Sequence, residues 1–328
     1  MADDAEDIRE TKWHPRLTKN LRGHAEAQIQ MRRALASGKL HHAWLISGAK
    51  GIGKASLAYH FANLVLTSSD PRSPQWIASR SHPDLFVLER LWDPKIKKLK
   101  AEMSVDSARA LSEFFGLTAG SGGWRVAIID AADDLNNASA NALLKLIEEP
   151  PPNCLLLLVC NQPGRLLRTI RSRCMGIELQ PLSEDETMNV VTNLPLDEQL
   201  EPDKLRIAVS LSGGSPGRAL ELLESSGAKS FAAFQAMGNI NPFSLAEFGN
   251  RFTAKSISAD DFEIFCDLLD GWVGNKAREL SLQGRGHALA EAHSAIGHSI
   301  RQTNALNLDK RQTVINALSL IDDAMKMA

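Results

Sequence analysis

Short apolar runs closed by glycine or polar residues alternate with helical-period stretches through the first half of the chain. "HAWLISG" (His42 to Gly48) is an apolar run ending in glycine, and it leads through a tight loop into "KASLAYHFANLVL", where Leu57, Phe61, Leu64 and Val65 recur at helical spacing. "WRVAIIDAADDL" and "CLLLLVCNQP" are continuous apolar runs, the pattern of strands buried on both faces of a parallel sheet. Between them, "NNASANALLKLIEEPPP" opens on asparagine caps, carries Leu143, Leu144 and Ile147 on one face, and stops at Pro150, Pro151 and Pro152. "RCMGIELQPL" predicts a last strand, and from about Ser183 onward only helical patterns with polar connections remain. The expected organisation is a leader over 1–20, an α/β domain with a parallel sheet over 21–182, a small helical domain over 183–238 and an all-α domain over 239–328. "MGNINPF" is the softest link, and no repeat period is visible.

Composition changes this picture little. A chain of 328 residues exceeds the usual size of one core, and 44% hydrophobic with 23% charged residues is a globular profile. The formal net charge of -2 gives no broad basic footprint, so nucleic acid would be met by a local patch or through a partner. The first residues lack the basic flank and apolar core of a secretion signal, and no apolar run approaches the ~20 residues that span a bilayer. No membrane partner is expected. The four cysteines, Cys154, Cys160, Cys174 and Cys266, form no C-x-x-C pair, so neither zinc nor a disulfide framework is expected, and reduced thiols in a cytoplasmic protein are the simplest reading.

The chemistry concentrates in "GAKGIGKAS". Gly48, four residues, then Gly53 and Lys54 is the phosphate-loop spacing, with Gly51 inside it: glycines let the backbone curl so that N–H groups face phosphate oxygens, and the lysine adds a point charge. The predicted strand before it and helix after it are the required context, although glycines can also serve a tight turn alone. Ala55 stands where a hydroxyl would hold magnesium, and Ser56 is rotated about 100° away on a helix. "VAIID" ends at Asp130, the position of a metal-holding acid or of a turn aspartate. Ala131 follows it, where a water-orienting glutamate is needed for hydrolysis. ATP or ADP is therefore expected to dock weakly, if at all, and without hydrolysis.

"HHAWLISGAKGIGKASLAYHFA", "HPDLF", "AIIDAADDLNNASANALLKLIEEPP" and "RTIRSRC" closely resemble the bacterial clamp-loader subunits of DNA polymerase III, within the AAA+ superfamily. The resemblance runs from about Trp13 to the end, more loosely over "ALNLDKRQTVINAL". It implies an AAA+ P-loop domain, a helical lid over 183–238 and an oligomerising collar over 239–328. It also implies a hetero-oligomer with the motor subunits gamma or tau and a delta subunit, which places a sliding clamp on primed DNA as part of the DNA-directed DNA polymerase. The implied role is that of a member without ATPase activity of its own. Its Ser172, Arg173 and Cys174 motif reaches the ATP of the adjacent motor, with Arg173 as an arginine finger in trans, where a guanidinium neutralises charge on the transferred phosphoryl group.

From the residues alone, Arg165, Arg168, Arg171 and Arg173 read equally as a solvated basic face. The resemblance also offers Asn161 as a phosphate sensor, against a plain strand-end turn, and Arg218 as a second sensor, against an exposed arginine near a helix start capped by Ser215. His41 and His42 read as core or loop histidines. The resemblance, taken from the motor subunits and many other members of the family, implies a four-cysteine zinc module where this chain has the cysteine-free "TSSDPRSPQWIASRSHPDLF", and the lysines of "PKIKKLK" (Pro94 to Lys100) read as a solvated hairpin. The rival reading is an active AAA+ motor, supported by Gly53, Lys54, Asp130 and Arg218. A third is nucleotide as a stabilising ligand without turnover.

Overall fold

Cys154–Cys160 is buried at every position, so both faces of this strand must be covered, and alternate residues enter two separate cores. The computed structural model describes residues 13–327 apart from 91, 94–97, 100–102, 104, 121–122, 196–201, 238–240 and 254–255. Most of the expected leader and of the lysine run 94–100 lies outside the described residues. In chain order a 3-10 turn (Pro15–Leu17) precedes α1 (Ala25–Ala36), β1 (Ala43–Ser47), α2 (Lys54–Thr67), α3 (Ser73–Ala78) and β2 (Leu85–Glu89). A small antiparallel pair follows, β3 (Trp92–Asp93) with β4 (Lys98–Leu99). Then come α4 (Val105–Gly116), β5 (Arg125–Asp130), α5 (Asn137–Glu148), β6 (Cys154–Cys160), α6 (Arg168–Arg171) and β7 (Met175–Glu178).

The main sheet has the order β2-β5-β6-β1-β7, and all its pairings are parallel. Leu155, Leu157 and Val159 of β6 join Trp44, Ile46 and Phe61 on the α2 side, while Leu156, Leu158 and Cys160 meet Leu143 and Ile147 on the α5 side. Helix α5 begins where the Asn136 side chain accepts the Ser139 N–H at 2.9 Å, and ends before Pro150. Thus the α/β sandwich read from the apolar runs is the fold. Helices α7 (Glu184–Thr192), α8 (Pro202–Leu211) and α9 (Pro216–Glu224) follow, then α10 (Ser226–Gln235), α11 (Pro242–Gly249), α12 (Ala259–Ser281), α13 (His287–Leu306) and α14 (Lys310–Met327).

The chain divides into two compact units, Met1–Arg218 and Ala219–Ala328, and the expected lid (183–238) straddles that division. The second unit is all-helical, with a phenylalanine core in which Phe252 and Phe265 lie 4.4 Å apart between ring centroids. Its α12 is capped by Ser258, whose hydroxyl accepts the Asp261 N–H at 3.0 Å, while the Asp261 carboxylate accepts the Ser226 N–H at 2.8 Å. Among the described residues no helix is long and apolar enough to cross a membrane.

The cysteine-free stretch is held by a hydrogen-bond chain. The Ser73 hydroxyl donates to the Asp70 carbonyl at 2.7 Å, His82 Nε2 donates to the Ser73 hydroxyl at 3.0 Å, and His82 Nδ1 accepts the Asp84 N–H at 3.0 Å. This arrangement needs a neutral imidazole, and burial, the largest influence, lowers the His82 pKa from its ordinary 6.5 although Asp84 pulls it upward. His42 and His60 are lowered in the same sense, also by burial first. Below pH 6.5 the unfolded chain takes protons that the folded chain refuses, so stability falls as pH drops through that value and levels off below the folded pKa values. Urea unfolding at pH 7.5 and 5.5 is expected to give a lower midpoint at 5.5, and His82→Asn, which keeps an acceptor near Nδ1, is expected to shrink the difference. Equal midpoints at the two pH values would contradict the neutral-histidine chain.

Candidate functional site

Parallel pairing brings three strand ends to one level: Ser47 pairs with Cys160, and Asp130 with Val159. The loop 48–53 therefore leaves β1 beside Asn161 and Asp130 at the carboxyl end of the sheet, where open α/β sheets bind ligands. Gly48 has φ +142°, and a Cβ there would lie 2.6 Å from both Ile52 Cδ1 and the Leu179 carbonyl oxygen. Gly53, at φ +105°, turns the chain into α2. Lys54 opens that helix only 4% exposed, and its Nζ donates to the Ala49 carbonyl at 2.6 Å. Burial pulls the ammonium's pKa below its ordinary value, while Asp130 and then Asp133 pull it back. Gly48, Gly51, Gly53, Lys54, Asp130 and Asn161 are thus gathered at one edge.

Asp133 is the member that sequence reading missed. It sits in a 3-10 turn (Ala132–Asp134), and its carboxylate accepts the N–H groups of Asn161 at 2.9 Å and Gln162 at 3.2 Å. It ties the end of β6 to the end of β5 and, with burial as the larger cause, pushes the Cys160 thiol up to about 12. Its signal was the second of three aspartates in "DAADDL", which nothing in the pattern separates from Asp134.

The loop is also held from the start of α9. Ser215 Oγ donates to the Lys50 carbonyl at 3.0 Å, and the Gly217 N–H donates to the Gly51 carbonyl at 2.9 Å. His24 Nε2 donates to the Ile52 carbonyl at 2.7 Å. With Lys54 on Ala49, four consecutive loop carbonyls are bonded outward, which leaves the curled backbone fixed by protein groups. The approach is close: a Cβ on Gly217 would lie 2.8 Å from Gly51 Cα, and one on Gly51 would lie 2.5 Å from Ser215 Oγ. Ser215 caps α9 by accepting the Arg218 N–H at 3.2 Å. Gly217 is the residue set against the loop, and Arg218, one helical step further, is half-buried.

Arg173 lies at the other edge of the sheet. It precedes β7, whose Met175 pairs with Trp44 at the beginning of β1, so it is separated from Gly48 by the length of a strand, roughly 16 Å for five residues. Ser172 and Arg173 are exposed, whereas Cys174 is half-buried and its thiol is pushed up to about 12 by burial. Arg173 Nη2 pairs with Glu148 Oε1 at 3.0 Å, and Nη1 donates to the Thr169 carbonyl at 3.1 Å. Arg165, Arg168 and Arg171 are exposed beside it. Among the described residues no group of His, Cys, Asp and Glu could hold a metal ion.

A parallel sheet with a phosphate-type loop at the carboxyl end of one of its inner strands, running into a helix, is the architecture of P-loop proteins. The family model described as "DNA polymerase III, delta subunit" matches residues 23–183. The chain is 30% identical over 296 residues to the DNA polymerase III subunit delta' of Pseudomonas aeruginosa, covering 85% of this chain and 87% of that one. It is 35% identical over 196 residues to the Escherichia coli subunit delta', covering 57% and 56% of the two chains. The tau subunit of Escherichia coli is 28% identical over 216 residues, 65% of this chain and 33% of that one. The chain belongs to the delta' family of DNA polymerase III clamp-loader subunits.

Because a methyl group at residue 217 has no room beside Gly51, Gly217→Ala is expected to break the loop contact. Hydrogen exchange of the segments 48–54 and 212–218 is expected to speed up by about ten-fold or more, the loss of one buried hydrogen bond. Unchanged exchange would contradict the close approach.

Proposed function

We propose that this chain is a non-hydrolysing clamp-loader subunit that completes the ATP site of a neighbouring motor subunit with Arg173. The observation that carries the reading is the separation of the two edges: Arg173 stands about a strand's length from the chain's own loop, exposed at the surface and held there by Glu148 and the Thr169 carbonyl. Assembly in a head-to-tail arc joins opposite edges of successive subunits, which is how an arginine at one edge meets a phosphate loop at the other. Developing charge on the transferred phosphoryl group is then met by a planar cation with several donors.

Ala55 and Ala131 support the absence of hydrolysis, because neither a metal-holding hydroxyl nor a water-orienting carboxylate is present at those positions. The loop's curled backbone still suits a phosphate, so ATP or ADP at Gly48 to Lys54 acts as a passive, weakly held ligand, with Asp130, Asn161 and Arg218 at its margins. The partners of this reading are the gamma or tau motor subunits and a delta subunit, with the sliding clamp and primed DNA engaged through the assembly in the cytoplasm. The 239–328 helices serve as the collar that joins the subunits.

Arg173→Ala is expected to slow hydrolysis at the adjoining motor site by on the order of 10³, read as loss of that site's share of turnover in the loader with primed DNA. The isolated wild-type chain is expected to show no turnover above background. Turnover by the isolated chain that Lys54→Ala abolishes would instead favour an active motor, the reading that the retained lysine and glycines otherwise allow.

A further inference from the structure

We infer that Glu148 is a positioning residue for Arg173, holding its guanidinium in the direction from which it reaches a neighbouring subunit's phosphate. The inference rests on the trans role proposed above. Two acceptors from different elements fix the guanidinium plane: the Thr169 carbonyl of α6 takes Nη1, and Glu148 Oε1, the last residue of α5, takes Nη2. Of the five N–H groups that an arginine carries, the remaining ones stay available for phosphate oxygens.

Glu148 is itself well placed to serve as a fixed point. The preceding Ile147 is 3% exposed, and its carbonyl accepts a hydrogen bond from His42 Nε2 at 2.8 Å, which ties the end of α5 to the start of β1, a neighbour of the central strand β6. The Glu149 N–H bonds the Lys145 carbonyl at 2.9 Å, and Pro150 stops further winding. Glu148 therefore inherits its position from the core, although its side chain is at the surface.

The pair is exposed at 43% for Arg173 and 42% for Glu148, and ion pairs this exposed add little to folding stability. What the contact changes is freedom. An unpaired arginine at the surface samples many rotamers, and all but one must be given up when it docks on a phosphate, whereas a side chain already held loses less. Direction, and not fold stability, is the quantity that Glu148 controls.

The test uses the assembled loader with primed DNA and ATP, comparing the wild-type chain with Glu148→Ala, Glu148→Gln, Arg173→Ala and the Glu148→Ala/Arg173→Ala double variant. Melting of each isolated chain is measured alongside. Glu148→Ala is expected to lower the Arg173-dependent turnover at least about three-fold, as contacting pairs commonly do. Glu148→Gln, which keeps an acceptor oxygen, is expected to retain most of it. The double variant is expected to be no slower than Arg173→Ala alone, because the two residues act as a unit, and the melting temperatures are expected to stay together.

If Arg173→Ala slows the loader while Glu148→Ala does not, or while Glu148→Ala slows the Arg173→Ala background by the same factor, the positioning role is overturned and the trans arginine stands. A melting temperature that falls with Glu148→Ala, in step with turnover, overturns it as well by making the effect structural. If Arg173→Ala leaves turnover unchanged, the trans reading itself falls, and this inference falls with it.

Discussion

Everything else in the first unit depends on the parallel pairing of β6 with β5 and β1. A strand buried on both faces needs helices on both sides, and parallel neighbours supply them through crossover connections. Such a sheet has a direction. Loops that leave the carboxyl ends of strands gather at one edge and loops that enter the amino ends at the other, so Lys54 and Arg173 are held apart by the strands themselves. A chain built this way presents a phosphate-shaped loop to one side and a cation to the other, which is the asymmetry that a head-to-tail assembly uses.

The contacts around the loop give its glycines a structural reason that is independent of any nucleotide. Gly51 has φ +79° and the backbone of Gly217 and Arg218 close by, and a Cβ on Gly217 would lie 2.8 Å from the Gly51 Cα, so both positions are set by the close approach of the two segments. The carbonyls that point outward are bonded to Lys54, Ser215, Gly217 and His24, so the curl is a structural joint between β1, α2 and the start of α9. Lys54 has a structural role of the same kind: it is buried, bonded to the loop that it closes, and balanced by Asp130 and Asp133. The loop's shape is thus maintained by contacts within the protein.

Much of this was legible in local pattern. The run "CLLLLVC" reads as a doubly buried strand because seven apolar residues between turn signals leave no polar face, and α5 reads as a helix because Asn136 caps it and Pro150 ends it. The phosphate loop reads directly from spacing. Other features depend on partners that the pattern does not pair. Lys50 and Ser215 are 165 positions apart, and nothing in "GGSPGR" distinguishes the glycine that meets the loop from the arginine beside it. Glu148 reads as one of two glutamates at a helix end until the fold brings α6 alongside. Helices α1, α3 and α4 and strand β2 have no assignment in the apolar pattern, since Leu85–Glu89 offers only a short run and α3 is six residues held by the His82 hydrogen bonds. Long-range hydrogen bonds and edge position are properties of the folded chain, and they are the part that sequence leaves open.

The central claim is that the arginine serves a neighbour's nucleotide and not the chain's own loop. The most direct measurement is a structure of the assembled loader on primed DNA with ADP and a fluoride mimic of the transferred phosphoryl group. Expected is the Arg173 guanidinium within hydrogen-bond distance, about 3 Å, of the mimic bound to the adjoining motor subunit, with no mimic at Gly48 to Lys54 of this chain. A mimic with its metal seated in this chain's own loop, and Arg173 facing solvent, would contradict it.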